Sequence, residues 1–345
     1  MLDLFFLLSG EHTSLPFSEV VAVLEAEELT FFNLKVLPQI LLLKGDPKCI
    51  DTASRRCGFL RNCGLVIFNC EGRKEKILKQ AKETAFEKFI GGNETFSVRV
   101  RKIHGATCEV NSKDLEGDLG KIILEKVKGI KVDLVKPNKV FMGFLVRRSF
   151  IFGLSLYEAP RGAFAGRRPS KRPFFHPTAI SPKLARCMVN LARPKTGEIV
   201  LDPFCGTGST LIEAGLIGCQ VIGADIDSKM IKGSLMNLHH FGITPIGMIV
   251  GDARKLAVKG ISHVVADPPY GRSASTYGAK AKELIVDFLS LSLENLDKDG
   301  FLCIASPKGM MVDHVGSDLG FIVVERHYVY MNKNLTRQIV VLRKP

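Results

Sequence analysis

The sequence predicts an α/β protein with a parallel, helix-covered sheet in its C-terminal half and an α+β region before it. From residue 180 onward, apolar runs typical of buried strands alternate with helical patterns, as in a sheet with helices on both faces. The first 70 residues instead follow the order strand, helix, strand, strand, which favours a small sandwich of ferredoxin-like type. The length of 345 residues is typical of two or three domains.

Positive charge is concentrated in one part of the chain. The formal net charge is +13, and residues 51–200 alone hold 30 lysine and arginine residues against 14 acidic residues. Because each neutralised phosphate releases counterions, a basic block of this size favours a polyanionic partner such as a nucleic acid. The alternative is that these side chains only solvate helix faces.

Cysteine usage and hydropathy indicate the compartment. The nine cysteines include no C-x-x-C pair, which argues against a zinc ribbon, and their odd number argues for a reducing cytosol. The apolar start, residues 1–8, is too short for a signal peptide and lacks a basic leader, so it predicts a buried strand. No apolar run approaches the roughly 18 residues of a membrane span. We therefore expect a cytoplasmic protein without a bound metal.

The elements of the first 157 residues are predicted from apolar runs and helical stripes. Residues 73–90 form a basic amphipathic pattern that we expect to end as a helix at Gly91-Gly92. Residues 96–101 alternate apolar and charged side chains, so this strand presents Arg99 and Arg101 on one face. Contact with RNA and simple exposure to solvent are equally good explanations of these two arginines. Further strands are expected at 4–8, 35–43, 64–70 and 140–145, and further helices at 17–27 and 118–128.

Residues 158–178 are rich in both arginine and proline. Such a composition predicts a semi-rigid linker whose charges follow a phosphate backbone. A solvated hinge without a ligand is the alternative. The candidate RNA-binding residues of the linker are Arg161, Arg167, Arg168, Lys171 and Arg172.

The C-terminal half has well-marked elements. Ser181 is a predicted N-cap, and Pro182 occupies the favoured first position of the helix that follows. Strands are expected at 199–201, 220–224, 247–250 and 263–266, and helices at 182–192, 209–217 and 228–240, the last with Asp227 as a plain N-cap.

A glycine-containing segment after the first of these strands predicts a cofactor loop. Gly206 and Gly208 lie where the chain must turn tightly from strand to helix, at the carboxyl end of a strand, where open parallel sheets bind ligands. The segment lacks the third glycine of the dinucleotide fingerprint, and the chain has no P-loop motif. Asp225 ends the next strand and can accept both ribose hydroxyls, whereas Asp252 follows the third strand and can take an adenine amino group. The candidate cofactor-binding residues are Asp202, Pro203, Phe204, Cys205, Gly206, Thr207, Gly208, Asp225, Ile226, Asp252 and Ala253.

The segment Asp267-Pro268-Pro269-Tyr270 begins 65 residues after Asp202 and predicts the chemistry. An exocyclic amine on a base is a poor nucleophile, because its lone pair is delocalised into the ring. The Asp267 carboxylate and the Pro268 carbonyl can accept its two N–H bonds, the prolines fix φ, and Tyr270 can stack on a base rotated out of its helix. With the upstream loop, these catalytic candidates indicate methyl transfer from S-adenosylmethionine to an exocyclic nitrogen. A rigid Pro-Pro turn is the structural alternative.

Two regions resemble known families. Residues 75–155 resemble a THUMP domain, the RNA-binding module of several tRNA-modifying enzymes, in the helix after Gly91-Gly92, in Leu119-Gly120, in Val132-Asp133-Leu134 with Pro137, and in the strand that follows. The segments 172–177, 184–191 and 267–272 resemble the archaeal tRNA (guanine(10)-N2)-methyltransferases, which have a Rossmann-like fold. The resemblance implies four regions: a ferredoxin-like domain at 1–72, a THUMP domain at 73–157, a basic linker at 158–178 and a methyltransferase domain at 179–345.

The resemblance also implies the substrate and the roles of site residues. It implies tRNA as substrate and guanosine 10 as target, giving N2-methylguanosine and, as a further product, N2,N2-dimethylguanosine. By family position, the cofactor would be held by Asp202, Phe204, Gly206, Gly208, Asp225 and Asp252, and the base by Asp267 with Tyr270. A small-residue loop, 271–278, is predicted to order over the base, with Arg272 or Tyr277 touching RNA. Eukaryotic relatives work with a small zinc-binding activator protein, for which residues 218–223 or 243–250 would be the sheet edge.

Other functions stay open at this point. A related THUMP-bearing group modifies guanosine 6 and usually carries Asn at the position of Asp267, so the aspartate favours position 10. The acceptor pair would also serve adenine N6 in DNA or glutamine N5 in a release factor, which the RNA-like region and the basic linker disfavour. Outside enzymes, a non-catalytic tRNA-binding protein is the alternative, and the intact acids argue against it.

Overall fold

The computed structural model describes residues 1–269, 275–333 and 335–345, with only the backbone described at 275–280 and at 332. The chain forms two compact units, neither of which is continuous in sequence. The N-terminal unit comprises Met1–Glu11, Leu29–Ser54 and Leu60–Pro160, and the C-terminal unit comprises His12–Glu28, Arg55–Phe59 and Arg161–Pro345.

The N-terminal unit is built on one mixed sheet. Its strands are β1 (Leu2–Leu8), β2 (Phe31–Leu37), β3 (Ile40–Gly45), β4 (Leu60–Glu71), β5 (Thr95–Lys102), β6 (Lys131–Val132), β7 (Lys139–Val146) and β8 (Ser149–Glu158). Within the described residues they pair in the order β2-β3-β1-β4-β8-β7-β5-β6. The helices of the first 160 residues are α1 (Leu15–Ala26), α2 (Lys48–Arg56), α3 (Lys74–Glu83) and α4 (Ser112–Lys126), of which α1 belongs to the C-terminal unit.

The regions 1–72 and 73–157 share this sheet. They meet where β4 pairs antiparallel with β8. The sheet is therefore continuous through the position where the sequence suggested a change of domain. The predicted boundaries at residues 72, 157 and 178 stay predictions.

Two local predictions in the N-terminal unit were wrong, and two elements were missed. The single strand predicted at 35–43 is the hairpin of β2 and β3, because Pro38 has no N–H to donate and Gln39 adopts a φ of 57° in the turn. The helix predicted at 73–90 ends at Glu83, since Thr84 is extended, and a short 3₁₀ turn follows at Phe86–Lys88. The elements α2 and β8 were not predicted.

The C-terminal unit has the predicted Rossmann-like architecture. Its further strands are β9 (Ile199–Asp202), β10 (Gln220–Asp225), β11 (Gly247–Val250), β12 (Ile261–Ala266), β13 (Leu296–Pro307), β14 (Ile322–Asn332) and β15 (Leu335–Arg343). Its further helices are α5 (Pro182–Leu191), α6 (Ser209–Leu216), α7 (Ser228–His240), α8 (Ser275–Asn295) and α9 (Val312–Leu319). In the described part of the chain the strand order is β11-β10-β9-β12-β13-β15-β14. The first five strands are parallel, β15 runs antiparallel to them, and β14 pairs antiparallel with β15 and so runs in the direction of the first five. The prediction of Ser181 as N-cap of α5 is confirmed, because its hydroxyl accepts from the Leu184 N–H.

Helix α1 and residues 55–59 pack into the core of the C-terminal unit. Leu15, Ala22 and Phe59 join one hydrophobic cluster with residues of α5 and β9. The buried carboxylate of Glu19 accepts from the backbone of Gly58 and Phe59 and, at 2.9 Å, from the Asn190 amide. A helix predicted within the first domain is thus part of the other unit.

The state of the cysteines and the hydropathy of the helices are two further features of the structure. All nine cysteines are free thiols. Of the helices in the described residues, none combines the length and hydropathy that crossing a membrane requires.

Candidate active site

Four acids follow the carboxyl ends of neighbouring parallel strands. Asp202 ends β9, Asp225 ends β10, Asp252 comes two residues after β11, and Asp267 comes directly after β12. Since parallel strands end at a common edge, the acids gather there. Strand β12 pairs with β9, with Val264 opposite Leu201, which brings the residues 65 positions apart to adjacent strand ends, and the charges of Asp267 and Asp225 both raise the pKa of the Asp202 carboxyl.

The loop after β9 is tight, and its two glycines have left-handed φ angles. Gly206 has a φ of +49° and Gly208 a φ of +79°. A Cβ atom on Gly208 would overlap the Ser234 hydroxyl. The turn closes through a hydrogen bond from the Gly208 N–H to the Cys205 carbonyl at 2.7 Å. Gly206 is therefore required for its left-handed φ. Gly208 is required for its left-handed φ and because a side chain there would collide with Ser234.

Asp202 lies under this loop and shapes it. Its Oδ1 accepts from the Phe204 N–H at 2.9 Å, and its Oδ2 accepts from the Thr210 hydroxyl. Burial raises the pKa of the Asp202 carboxyl from an ordinary 3.8 to about 7, with Asp267 and Asp225 adding to the effect. Since both oxygens are engaged within the loop, Asp202 determines the loop's conformation.

Asp225 joins the glycine loop to the next strand end. Its Oδ2 accepts from the Gly206 N–H and its Oδ1 from the Asp227 N–H, both at 2.9 Å. Ile226 beside it is 73% exposed, an apolar surface next to a carboxylate. Asp227 caps α7 by accepting from the Lys229 N–H, which confirms the prediction of a plain N-cap.

Asp252 is held by a residue that the sequence analysis missed. Arg254 donates to both Asp252 oxygens, at 3.1 Å from Nε and 2.6 Å from Nη2. These hydrogen bonds lower the pKa of the Asp252 carboxyl to about 2, so it is ionised over the whole neutral range. Ala253 is buried beneath the loop.

Asp267 is half-buried beside a second residue that the sequence analysis missed. The Asp267 Oδ2 lies 3.7 Å from Nη2 of Arg337, which is itself 8% exposed. Arg337 comes from β15, which is antiparallel to β13 and pairs Arg337 with Pro307. No signal near the Asp267 motif could have identified a partner 70 residues away. Pro268 is buried and Pro269 exposed, whereas Tyr270 and Arg272 lie outside the described residues.

The linker is docked on the C-terminal unit, and two of its arginines have protein partners. Arg172 is 5% exposed and donates to the Ser209 hydroxyl at 2.7 Å. Arg167 donates to the fully buried Glu213 at 2.8 Å, and Arg186 pairs with the same carboxylate. The prediction that Arg167 and Arg172 follow a phosphate backbone therefore needs correction, because the partly buried Arg167 and the buried Arg172 bind side chains of α6 and fix the linker to that helix.

The side chain of Asn237 on α7 links the same segment to the glycine loop. Asn237 accepts from the Phe174 N–H and donates to the carbonyls of Phe174 and Thr207, all at 2.9 Å. A Cβ atom on Gly233 would overlap the Phe174 ring. The linker therefore supports the backbone of the loop, a role that composition did not indicate.

Three predicted RNA contacts of the linker face solvent. Arg161, Arg168 and Lys171 are exposed. They are candidates for phosphate contact on the outer side of the docked linker, and their role stays a prediction.

The geometry fits a nucleoside-bearing cofactor. The turn after β9 has no side chain at Gly206 and Gly208, and the Asp225 carboxylate lies against it by accepting from the Gly206 N–H. Ile226 offers an apolar surface, and Asp252 follows the end of the next strand. These donors and acceptors suit a ribose and an adenine. The loop has two glycines, whereas the loop that binds the pyrophosphate of a dinucleotide has three.

Two family models match the chain. A methyltransferase domain described as RMKL-like matches residues 169–337, and the THUMP domain matches residues 72–154. Among solved structures, TrmN from Thermus thermophilus is 20% identical with a TM-score of 0.57 and covers 99% of this chain and 100% of its own, so it supports the fold. A putative methyltransferase complexed with SAH, 14% identical, has a TM-score of 0.55 over 100% of this chain and 98% of its own.

Curated relatives match over the full length. A tRNA (guanine(10)-N2)-dimethyltransferase of Methanothermobacter thermautotrophicus is 38% identical over 99% of this chain and 100% of its own. Its counterpart in Methanocaldococcus jannaschii is 32% identical over 98% of this chain and 99% of its own. That of Pyrococcus abyssi is 33% identical over 88% of this chain and 89% of its own.

Proposed function

Because this chain belongs to the tRNA (guanine(10)-N2)-dimethyltransferase family, we propose that it methylates the exocyclic N2 of guanosine 10 in tRNA. S-adenosylmethionine is the methyl donor, and the expected products are N2-methylguanosine and N2,N2-dimethylguanosine. This agrees with the function that the sequence motifs predict.

The cofactor would be held along the edge formed by β9, β10 and β11. When bound, S-adenosylmethionine supplies a methyl group on a positively charged sulfur. Gly206 and Gly208 let the backbone approach the ligand closely, and Asp225 accepts from the ribose hydroxyls beside Ile226. Asp252 is ionised and bound to Arg254, so it can accept an adenine amino group only by sharing its oxygens with that guanidinium.

The chemistry of the substrate amine depends on Asp267 and Pro268. The Asp267 carboxylate and the Pro268 carbonyl accept the two N–H bonds of the exocyclic amine, which orients the nitrogen lone pair. Arg337 fixes one oxygen of the carboxylate from the side. Asp267 can also take the proton that the nitrogen loses. Alignment and charge placement, rather than covalent catalysis, are what the protein contributes.

One observation carries this proposal. Strand β12 pairs parallel with β9, with Val264 opposite Leu201, so Asp267 and the glycine loop follow neighbouring strands at the same edge of the sheet. The acceptor for the amine and the loop for the cofactor are therefore neighbours, as direct transfer requires.

A methylation assay tests the proposal. The purified chain is incubated with labelled S-adenosylmethionine and two tRNA transcripts, one with guanosine 10 and one with adenosine 10 in a compensated base pair. Digestion and mass spectrometry should find N2-methylguanosine and N2,N2-dimethylguanosine from the first transcript alone. Asp318→Asn, a change of an exposed acid on α9, is the matched control for Asp267→Asn. Equal labelling of both transcripts, or label in a different nucleoside, would overturn the assignment to position 10.

The partners follow in part from the same family. The match to a THUMP domain and the exposed linker cations support tRNA binding by this chain. A zinc-binding activator protein stays a proposal. In the described part of the sheet β10 lies between β9 and β11, so of the two segments suggested as a sheet edge only the one that contains β11 is at an edge. Ile246 and Val250 there are 54% and 57% exposed. A cytoplasmic location likewise stays a prediction.

A further inference from the structure

The other edge of the same sheet, β14, carries an aromatic surface outside the site described above. Tyr328 is 47% exposed and Tyr330 is 70% exposed. They alternate with the buried residues His327 and Val329, so both rings are on one face of the strand. We call these two rings the tyrosine surface.

The strand register places the tyrosine surface at the active-site end of the sheet. Tyr330 pairs with Thr336, and Val329 pairs with Arg337, which in turn contacts Asp267. The exposed ring of Tyr330 is therefore one residue along the strand from the residue that pairs with Arg337. The other end of β14, where Ile322 pairs with Arg343, lies at the end of the strands away from the active site.

Cations accompany the rings. The Lys308 ammonium lies 5.2 Å from the centroid of Tyr328, and Lys333 is exposed just past Tyr330. On the same strand Arg326 is 60% exposed and paired with Asp313 at 3.0 Å. Exposed aromatic rings among cations are the combination with which proteins bind single-stranded nucleic acid, because bases stack on the rings and phosphates lie near the charges.

We propose that the tyrosine surface, with Lys308 and Lys333, binds unpaired nucleotides of the tRNA next to the guanosine being modified. This inference rests on the proposed function, which requires a target base removed from its helix and so leaves neighbouring nucleotides unstacked. Positive charge favours RNA over a protein strand as the occupant. A protein strand pairing with β14 would also use the apolar residues Ile322 and Val324 at the far end.

The experiment compares ring loss with ring retention. Tyr330→Ala and Tyr328→Ala should each weaken tRNA binding, measured by fluorescence anisotropy with a labelled transcript, by about 5- to 150-fold, the range for loss of one base–aromatic stack. Tyr330→Phe keeps the ring and should bind as the wild type does. Val324→Ala, an exposed apolar residue of the same strand away from the two rings, is the matched control and should leave binding unchanged.

Kinetics and salt dependence separate this role from a structural one. The alanine variants should raise the KM for tRNA while kcat and the affinity for S-adenosylmethionine stay near wild type. Lys308→Gln should reduce the slope of log affinity against log salt by about 0.7 to 0.9, the value of one phosphate contact.

The contradicting outcomes are distinct. Wild-type affinity in both alanine variants, or equal loss in Tyr330→Phe and Tyr330→Ala, would overturn stacking on these rings. Weakened self-association in Val324→Ala, measured by light scattering, with tRNA affinity unchanged in the tyrosine variants, would identify the edge as a protein interface. If the wild type binds tRNA through the tyrosine surface but labels a different nucleoside, the proposed target fails and this inference stands.

Discussion

The raised pKa of Asp202 makes a testable statement about stability. The folded chain retains the carboxyl proton between about pH 4 and pH 7, where the unfolded chain has lost it. The unfolded state therefore binds fewer protons in that window, and the free energy of unfolding falls as pH rises through it. Above pH 7 the ionised carboxylate is a net destabilising group under the glycine loop.

The substitution that removes this cost is Asp202→Asn. A pKa shift from 3.8 to about 7 corresponds to at most about 4 kcal/mol at 1.36 kcal/mol per unit. The asparagine oxygen still accepts from the Phe204 N–H, and its amide donates to the Thr210 hydroxyl. The effective dielectric constant of a protein interior is near 20, which lowers the cost of burying the charge below this upper limit. We therefore expect Asp202→Asn to raise the free energy of unfolding by about 2 kcal/mol at pH 8.5. For a unit of about 200 residues this raises Tm by about 4–8 °C.

The assay is a thermal melt of the ligand-free protein at pH 4 and at pH 8.5. The sequence has no tryptophan, so a dye-based or near-ultraviolet circular dichroism signal is needed. The gain in Tm should appear at pH 8.5 and vanish near pH 4, where both side chains are neutral. Asp318→Asn, which changes an exposed acid, should show no such difference. A lower Tm at pH 8.5, or a gain independent of pH, would refute the assigned burial cost.

Four further outcomes are expected. Asp267→Ala should abolish methyl transfer and leave the Kd for S-adenosylmethionine nearly unchanged by calorimetry, whereas equal loss of both would make Asp267 a structural residue. Arg337→Gln should lower kcat by about tenfold at unchanged cofactor affinity, because one oxygen of the acceptor loses its fixed position; an unaltered kcat contradicts that role. Replacing Arg168 and Lys171 together by Gln should weaken tRNA binding and flatten its salt dependence, and an unaltered slope would remove the linker from the RNA interface. Glu19→Ala should lower the free energy of unfolding by about 3 kcal/mol, because buried donors lose their acceptor, and a denaturant melt showing under 1 kcal/mol would contradict the packing of α1.

Features set by contiguous residues could be predicted well. The helix that starts at Ser181-Pro182, the cap at Asp227, and the strands before Asp202 and Asp267 all lie where the sequence indicated. Each depends on hydrogen bonds and dihedral preferences within a few residues. The hairpin at Pro38-Gln39 is the counterexample, since an apolar run concealed a two-residue turn.

Residue roles that depend on distant partners could not be predicted. Arg167 and Arg172 have the composition of an RNA-binding linker, but Glu213 and Ser209 hold them against α6. A charge pattern cannot distinguish an arginine that faces phosphate from one that faces a buried carboxylate. Only the exposure of each side chain separates the two cases.

The sequence by itself determined a parallel sheet, a glycine loop and acids at successive strand ends, because strand, turn and motif are local properties of the chain, and it predicted the amine acceptor. Folding in three dimensions set Arg337 beside Asp267, placed α1 in the C-terminal unit and brought the tyrosine surface to the active-site end of β14. Those arrangements arise from sheet order and burial, which bring together residues that are far apart in the chain. The sequence around one such residue gives no indication of its partner.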